Sequence, residues 1–179
     1  MRPSTIAIIL ALLSVASRAR ADEPEPTPDE STSSSRRFAG RLGALAAYRG
    51  VDDLSLLGEG VSLSLGSETD RLAFMVNLHF IDARTLGGLT VLEAGGSLTL
   101  EGRLGPRWRV GGGVGVTYLD VQRVTSNQSL QSMGPTLLAR VAYDFGERPN
   151  LYVLADVEVQ WQASGTIPWG PTLQVGLRF

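Results

Sequence analysis

The sequence predicts an all-β fold: an eight-stranded antiparallel transmembrane barrel preceded by a signal peptide and a short disordered tail. Three observations carry this expectation. From position 38 onward apolar residues recur with a period of two, not 3.6. The alternating runs number eight and are near the ~10 residues that a tilted membrane-spanning strand requires. The links between them alternate short with long, as expected when tight turns lie at one rim of a barrel and loops at the other.

The chain opens with Arg2, an apolar run over 6–16 and the small-x-small triplet Ala19, Arg20, Ala21. These are the parts of a secretory signal peptide, so residues 1–21 are read as an export signal with Asp22 as the mature start. The run is too short for a helix spanning the bilayer, which needs roughly 20 apolar residues. Residues 22–37 (DEPEPTPDESTSSSRR) hold no apolar side chain. Burial cannot offset their ordering entropy, and they are expected to form a disordered periplasmic tail.

The barrel is assigned to 38–179. The first strand, 38–48, sets Gly40, Leu42, Ala44, Ala46 and Tyr48 against Arg41 and Gly43. The second, 59–66, sets Val61, Leu63 and Leu65 against Ser62 and Ser64. The third, 71–81, sets Leu72, Phe74, Val76, Leu78 and Phe80 against Met75, Asn77 and His79. The fourth, 89–103, sets Leu92, Ala94, Gly96, Leu98 and Leu100 against Glu93, Ser97, Thr99 and Glu101. The fifth, 107–119, carries Trp108, Val110, Val114, Val116 and Tyr118 opposite Arg109 and glycines. The sixth, 135–145, carries Leu137, Ala139, Val141, Tyr143 and Phe145 opposite Thr136, Arg140 and Asp144. The seventh, 151–161, carries Leu151, Val153, Ala155, Val157, Val159 and Trp161 opposite Asp156, Glu158 and Gln160. The eighth, 170–179, alternates Pro171, Leu173, Val175, Leu177 and Phe179 with Thr172, Gln174, Gly176 and Arg178.

Turns at 66–71, 104–106 and 146–150 hold Gly, Pro, Asp and Asn in turn positions. The longer links are 49–58, 82–88, 120–134 and 162–170. Aromatic residues then fall in two belts: Phe38, Trp108, Tyr143, Phe145 and Phe179 beside the turns and termini, and Tyr48, Phe80, Tyr118, Trp161 and Trp169 beside the loops. A soluble exported lipocalin-like small-molecule binder would show the same alternation with its apolar comb inward. Its outward comb would carry many Lys and Glu. Here that comb mixes Gly, Ser, Thr and spaced ions.

An eight-stranded bore is filled by side chains and leaves no aqueous channel, so the polar comb is read as a packed core. If the 104–106 turn sets Arg103 opposite Arg107, Glu101 faces Arg109. If the 146–150 turn sets Asp144 opposite Tyr152, Arg140 faces Asp156. Each arginine then meets a carboxylate across the ladder at about 5 Å between Cβ atoms.

Composition removes other classes. Without residues 1–21 the chain holds 13 Arg and no Lys against 18 acidic residues, a formal charge of −5, so nucleic acid is not an expected partner. With no Cys, neither disulfides nor thiolate metal sites are possible. With one His and with Asp52, Asp53 and Glu59 read as a solvated acidic loop, no metal or cofactor is assigned. Gly111 to Gly113 are strand relief rather than a phosphate loop, since no helix follows.

The last strand, ending on Phe179, resembles the closing strand of bacterial outer-membrane β-barrels, whose assembly machinery reads such a terminus. Residues 38–179 as a whole resemble the small outer-membrane proteins of the OmpA transmembrane-domain and OmpX type, through eight alternating strands, aromatic belts and the terminal Phe. The resemblance implies an outer-membrane location, contact with outer-membrane lipids and lipopolysaccharide, an assembly signal at Phe179 and a monomer. It also implies a non-enzymatic envelope role with any recognition in the loops, here 49–58 and 120–134. No peptidoglycan-binding domain is read after Phe179, so OmpA-like anchoring is not implied. The alternative is a lipid A-modifying barrel. Deacylase barrels carry a His with Ser two residues on, where this chain has His79 and Ile81. Palmitoyl-transfer barrels use His with an Asp-Ser pair, and no such dipeptide occurs; no catalytic residue is assigned.

Overall fold

The computed structural model describes residues 36–51, 54–85, 89–123, 129–146 and 150–179. The expected signal peptide and all but the end of the expected tail lie outside the described residues. Eight strands follow in order: β1 (Arg37–Val51), β2 (Leu54–Glu68), β3 (Leu72–Arg84), β4 (Leu89–Arg103), β5 (Trp108–Arg123), β6 (Ser129–Asp144), β7 (Leu151–Gln160) and β8 (Trp169–Arg178). Each pairs antiparallel with its neighbour, and β1 pairs with β8 to close the barrel. Closure removes the unpaired edges that an open sheet would expose.

The hairpins at one rim are tight. Thr69 N donates to Leu72 O at 2.7 Å, Leu104 N to Trp108 O at 3.0 Å and Phe145 N to Leu151 O at 3.0 Å. At the other rim the strands run further than alternation predicts. β1 and β2 stay paired to Val51 opposite Leu54, and β5 and β6 to Gln122 opposite Ser129. The loops expected at 49–58 and 120–134 are therefore mostly ladder, and Glu59 is a strand residue. Asp52 and Asp53 lie outside the described residues. The physical reason is that a strand rising above the lipid meets water on its outer face. Its backbone bonds hold it there with no need for an apolar comb. The link after β7 behaves similarly, since Trp161 N donates to Pro135 O at 2.9 Å and Ala163 N to Met133 O at 3.2 Å. Gly134 permits this approach, because a Cβ there would lie 1.7 Å from Trp161 O.

Polarity is inverted relative to a soluble barrel. Arg41, Asn77, Glu93, Thr99, Glu101, Arg109, Thr117, Arg140, Asp156 and Gln160 are buried, while Phe74, Leu78, Leu98, Val114, Val116, Leu137, Val157 and Leu173 are exposed. A lipocalin-like arrangement would reverse the two sets. The exterior is a continuous apolar band, which only a lipid environment covers without cost.

The aromatic residues sort by rim. Trp108 and Tyr143 meet edge to face with centroids 4.8 Å apart, and Tyr143 meets Phe145 at 5.0 Å. Near the same rim the Phe179 ring covers Gly40, where a Cβ would fall 2.2 Å from Cε2, and Phe38 is exposed. At the loop rim Tyr48 and Trp169 meet at 6.3 Å; Phe80, Tyr118 and Trp161 occupy outward positions on β3, on β5 and just after β7. Ten residues separate Trp108 from Tyr118, about 33 Å along the strand and about 25 Å along the barrel axis at a ~40° tilt, which matches the height of an outer-membrane apolar band. Val114 sits between them on the lipid face. Val114→Arg is expected to destabilise the barrel by about 2–4 kcal/mol, read by urea unfolding in phospholipid vesicles. Val114→Leu should leave the midpoint nearly unchanged.

Candidate functional site

The chemistry of this chain lies in the bore, where three groups of charged side chains follow one another from the turn rim toward the loops. Each strand sends alternate residues inward, and the bore is narrow enough for long side chains to meet partners on non-adjacent strands.

Nearest the turns, Arg109 (β5) and Arg178 (β8) share Glu68 (β2) and Asp144 (β6). Arg109 Nη2 lies 2.8 Å from Glu68 Oε2, and Arg109 Nε lies 3.4 Å from Asp144 Oδ2. Both contacts are off the hydrogen-bond line, leaving those two nitrogens without an aligned acceptor. Arg178 bonds Glu68, and its Nη1 reaches Asp144 Oδ2 at 3.1 Å.

The middle group is held by two bidentate pairs. Arg41 (β1) clamps Glu101 (β4) through Nη1 at 2.7 Å and Nη2 at 2.6 Å. Arg140 (β6) clamps Asp156 (β7) through Nε at 2.7 Å and Nη2 at 2.8 Å, and its Nη1 reaches Asn77 Oδ1 at 2.7 Å and Glu101 Oε1 at 3.3 Å. Charge-assisted bidentate pairs of this kind are the strongest hydrogen bonds available to side chains.

In the outer group Arg49 (β1) donates to Glu93 (β4) through Nε at 3.0 Å and Nη2 at 2.9 Å. The same Nη2 reaches Glu158 Oε2 (β7) at 2.8 Å, and Nη1 reaches Thr172 Oγ1 at 3.0 Å. Gln160 Nε2 donates to Glu93 Oε1 at 3.0 Å, and His79 Nε2 lies 3.1 Å from the same oxygen. On the loop side of His79 and Glu93 the inward positions turn apolar. Leu56, Ile81, Ala83, Val91 and Leu119 join Leu45 and Ala47 in one buried cluster. Among the described residues, bonded ions fill the bore below this level and packed hydrocarbon fills it above.

The structure brings Arg140 and Asp156 face to face in the β6–β7 register. It does not bring Glu101 to Arg109. Arg103 pairs with Arg109 and Glu101 with Gly111, because the β4–β5 connection is two residues longer than the turn assumed. A two-residue slip keeps every side chain on its face but changes its partner. Glu101 instead takes Arg41 and Arg140, and Arg109 takes Glu68 and Asp144. Sequence reasoning considered adjacent strands only and so missed the cross-bore roles of Arg41, Arg49, Glu68, Glu93, Glu158 and Arg178. Arg41, Glu93, Glu158 and Arg178 stand on the polar comb, which is the available signal, whereas Arg49 and Glu68 fall in spans that read as a loop and a turn.

Around His79 the groups form a salt-bridge cluster rather than a nucleophile and base. Its ring bonds Glu93, and Arg49 sits between Glu93 and Glu158. Asp82 is on the opposite face of β3, paired with Arg84 at 2.8 Å. Ser126, the loop hydroxyl that an enzymatic group of His79 and Asp82 would draw on, lies outside the described residues.

No family model matches the sequence, and no curated protein matches it. Among solved structures it is similar to Ail, the attachment invasion locus protein of Yersinia pestis, crystallised in complex with the heparin analogue sucrose octasulfate. The TM-score is 0.57 at 14% identity over 79% of this chain and 97% of that chain. It is also similar to Neisserial surface protein A, with TM-score 0.55 at 16% identity over 81% of this chain and 99% of that one. The N-terminal β-barrel domain of Pseudomonas aeruginosa OprF gives TM-score 0.52 at 18% identity over 78% and 97%. The fold is that of the small bacterial outer-membrane β-barrels, and the apolar exterior fits it to span a lipid bilayer.

Proposed function

We propose that the protein is a non-enzymatic envelope component of the bacterial outer membrane, a closed scaffold whose recognition, where it has any, resides at the loop rim. The observation that carries this reading is the bore itself: three bonded ionic groups capped by an apolar cluster are built for rigidity, not for passage or turnover. Lipids and lipopolysaccharide contact the outward face, the C-terminal strand presents the chain to the assembly machinery, and one copy suffices to close the barrel. The rim offers recognition because loops on a rigid scaffold are where side chains are free of the strand pattern.

The long β5–β6 hairpin is the best-developed part of that rim, with Leu130 and Met133 exposed on it. Among the described residues the rim also carries acidic side chains, of which Asp82 is paired with Arg84. Glu59, Asp82 and Asp120 fall in one outward row across β2, β3 and β5, with Leu92 between the last two. Ail was crystallised with a polysulfated sugar; the acidic row here favours a basic partner over a polyanion.

Purified folded protein in planar bilayers should give no reproducible single-channel steps; stable ion-selective steps would overturn the closed scaffold. Lipid A from cells carrying His79→Ala should match wild type, and an altered profile would support the enzymatic alternative. Replacing residues 124–128 by a short Gly-Ser link should abolish surface or partner binding while leaving heat-modifiable gel migration intact.

A further inference from the structure

The three ionic groups in the bore differ in their charge balance. The turn-side group sets Arg109 and Arg178 against Glu68 and Asp144, and the middle group sets Arg41 and Arg140 against Glu101 and Asp156: two guanidiniums and two carboxylates each. The outer group also holds two carboxylates, Glu93 and Glu158, but only one guanidinium, Arg49. The fourth member is His79. One nitrogen of its ring and one oxygen from each of the two carboxylates lie within 4.8 Å of one another.

An uncompensated charge buried in low dielectric is costly, and such a site gathers a counter-charge or neutralises. Arg49 has already committed Nε and Nη2 to the two carboxylates and Nη1 to Thr172. His79 is placed to supply the missing charge. Gly95, its partner on β4, leaves the space the ring fills, since a Cβ there would lie 2.4 Å from Cε1. A small cavity of about 20 Å³, room for one water, adjoins the ring and is lined also by Asp156, Glu158, Ser62 and Thr172.

We propose that the outer lumen group is a proton-binding site, in which His79 as imidazolium is the second cation and brings the group to the neutrality of the other two. The charged and titratable groups facing the ring are Glu93 from β4, Glu158 from β7 and Arg49 from β1, with Asp156 of β7 and Arg140 of β6 across the cavity. β2 and β8 present Ser62, Ser64, Thr172 and Gln174, and β5 presents Thr117, none of which titrates. Loss of the proton leaves Arg49 alone against two carboxylates, so the site ties the outer half of the bore to pH. The bonded charge stabilises the folded barrel, and that stabilisation is present at low pH and lost as the ring deprotonates on raising pH.

His79 is the only histidine in the chain, so its imidazole nitrogen signals are unambiguous in the full-length protein refolded in detergent micelles. At about pH 7.5, a unit above the ordinary imidazole range, the wild-type ring should be charged. In Glu158→Gln, which keeps an acceptor for Arg49 and removes one negative charge, the ring should be uncharged at the same pH. A mere hydrogen bond to Glu93 would not respond to position 158, because Glu158 does not bond the ring. Independently of that variant's folding, the wild-type urea midpoint should fall between about pH 6 and about pH 9, and His79→Gln should lose most of that change. The same His79→Gln chain should regain stability when Glu158→Gln is added. An uncharged wild-type ring at pH 7.5 overturns the proposal. So does a midpoint that follows Na⁺ at fixed chloride instead of pH, since an ion in the cavity would then supply the charge.

Discussion

Arg140→Ala is expected to lower the unfolding free energy by about 3–5 kcal/mol, the usual loss when one partner of a buried pair is removed. Arg140 is 5% exposed and holds Asp156 in a bidentate clamp, with further bonds to Asn77 and Glu101. Truncation leaves Asp156 charged, buried and without a cation, whereas Glu101 keeps both bonds from Arg41. The cost therefore resides mainly on Asp156, and Arg140→Ala with Asp156→Ala should be more stable than Arg140→Ala alone. The coupling should lie at the upper end of the ~0.5–3 kcal/mol found for contacting residues. Urea titration in phospholipid vesicles, followed by tryptophan emission, measures both. A single-variant loss below about 1 kcal/mol would mean that water reaches Asp156, and the packed-bore account would fail.

How far the sequence discloses this network depends on the kind of information involved. Which face a residue takes follows from a period of two, so Arg41, Asn77, Glu93 and Arg140 are legible as inward from their neighbours alone. Which residue stands opposite depends on turn length. The β6–β7 turn places Arg140 against Asp156 as assumed, while the β4–β5 turn runs two residues longer and separates Glu101 from Arg109. Partners across the bore, such as Arg49 with Glu158, depend on strand tilt and shear, which no local pattern records. The apolar cluster of Leu56, Ile81, Val91 and Leu119 is illegible for a further reason. Near the loop rim both faces of these strands carry apolar residues, so alternation no longer marks the inside. Strand ends above the lipid are lost for a different reason, since their outer face meets water and needs no apolar comb, which is why 49–58 and 120–134 read as loops.

The glycines of β5 carry information that composition alone only hints at. Gly111, Gly113 and Gly115 all point inward, against the backbone of β4, and a Cβ at Gly113 would lie 2.3 Å from Leu98 O and 2.6 Å from Thr99 Cγ2. A backbone carbonyl engaged in a ladder cannot step aside as a flexible side chain can. Gly113→Val is therefore expected to cost at least the ~1–3 kcal/mol of ordinary overpacking, and more because backbone must move. In a thin-walled barrel the accommodating shift would also strain the hairpins on either side of β4 and β5. The expected result is loss of the heat-modifiable folded band under conditions where wild type refolds fully. Gly96→Ala is the matched control: it adds a methyl on the lipid face of the neighbouring strand, where the nearest atom, Leu78 Cδ2, is at an ordinary 3.4 Å. That variant should fold like wild type. If Gly113→Val folds equally well, β4 and β5 are further apart in the membrane than this close approach requires. The inward glycines would then be a matter of composition rather than of packing.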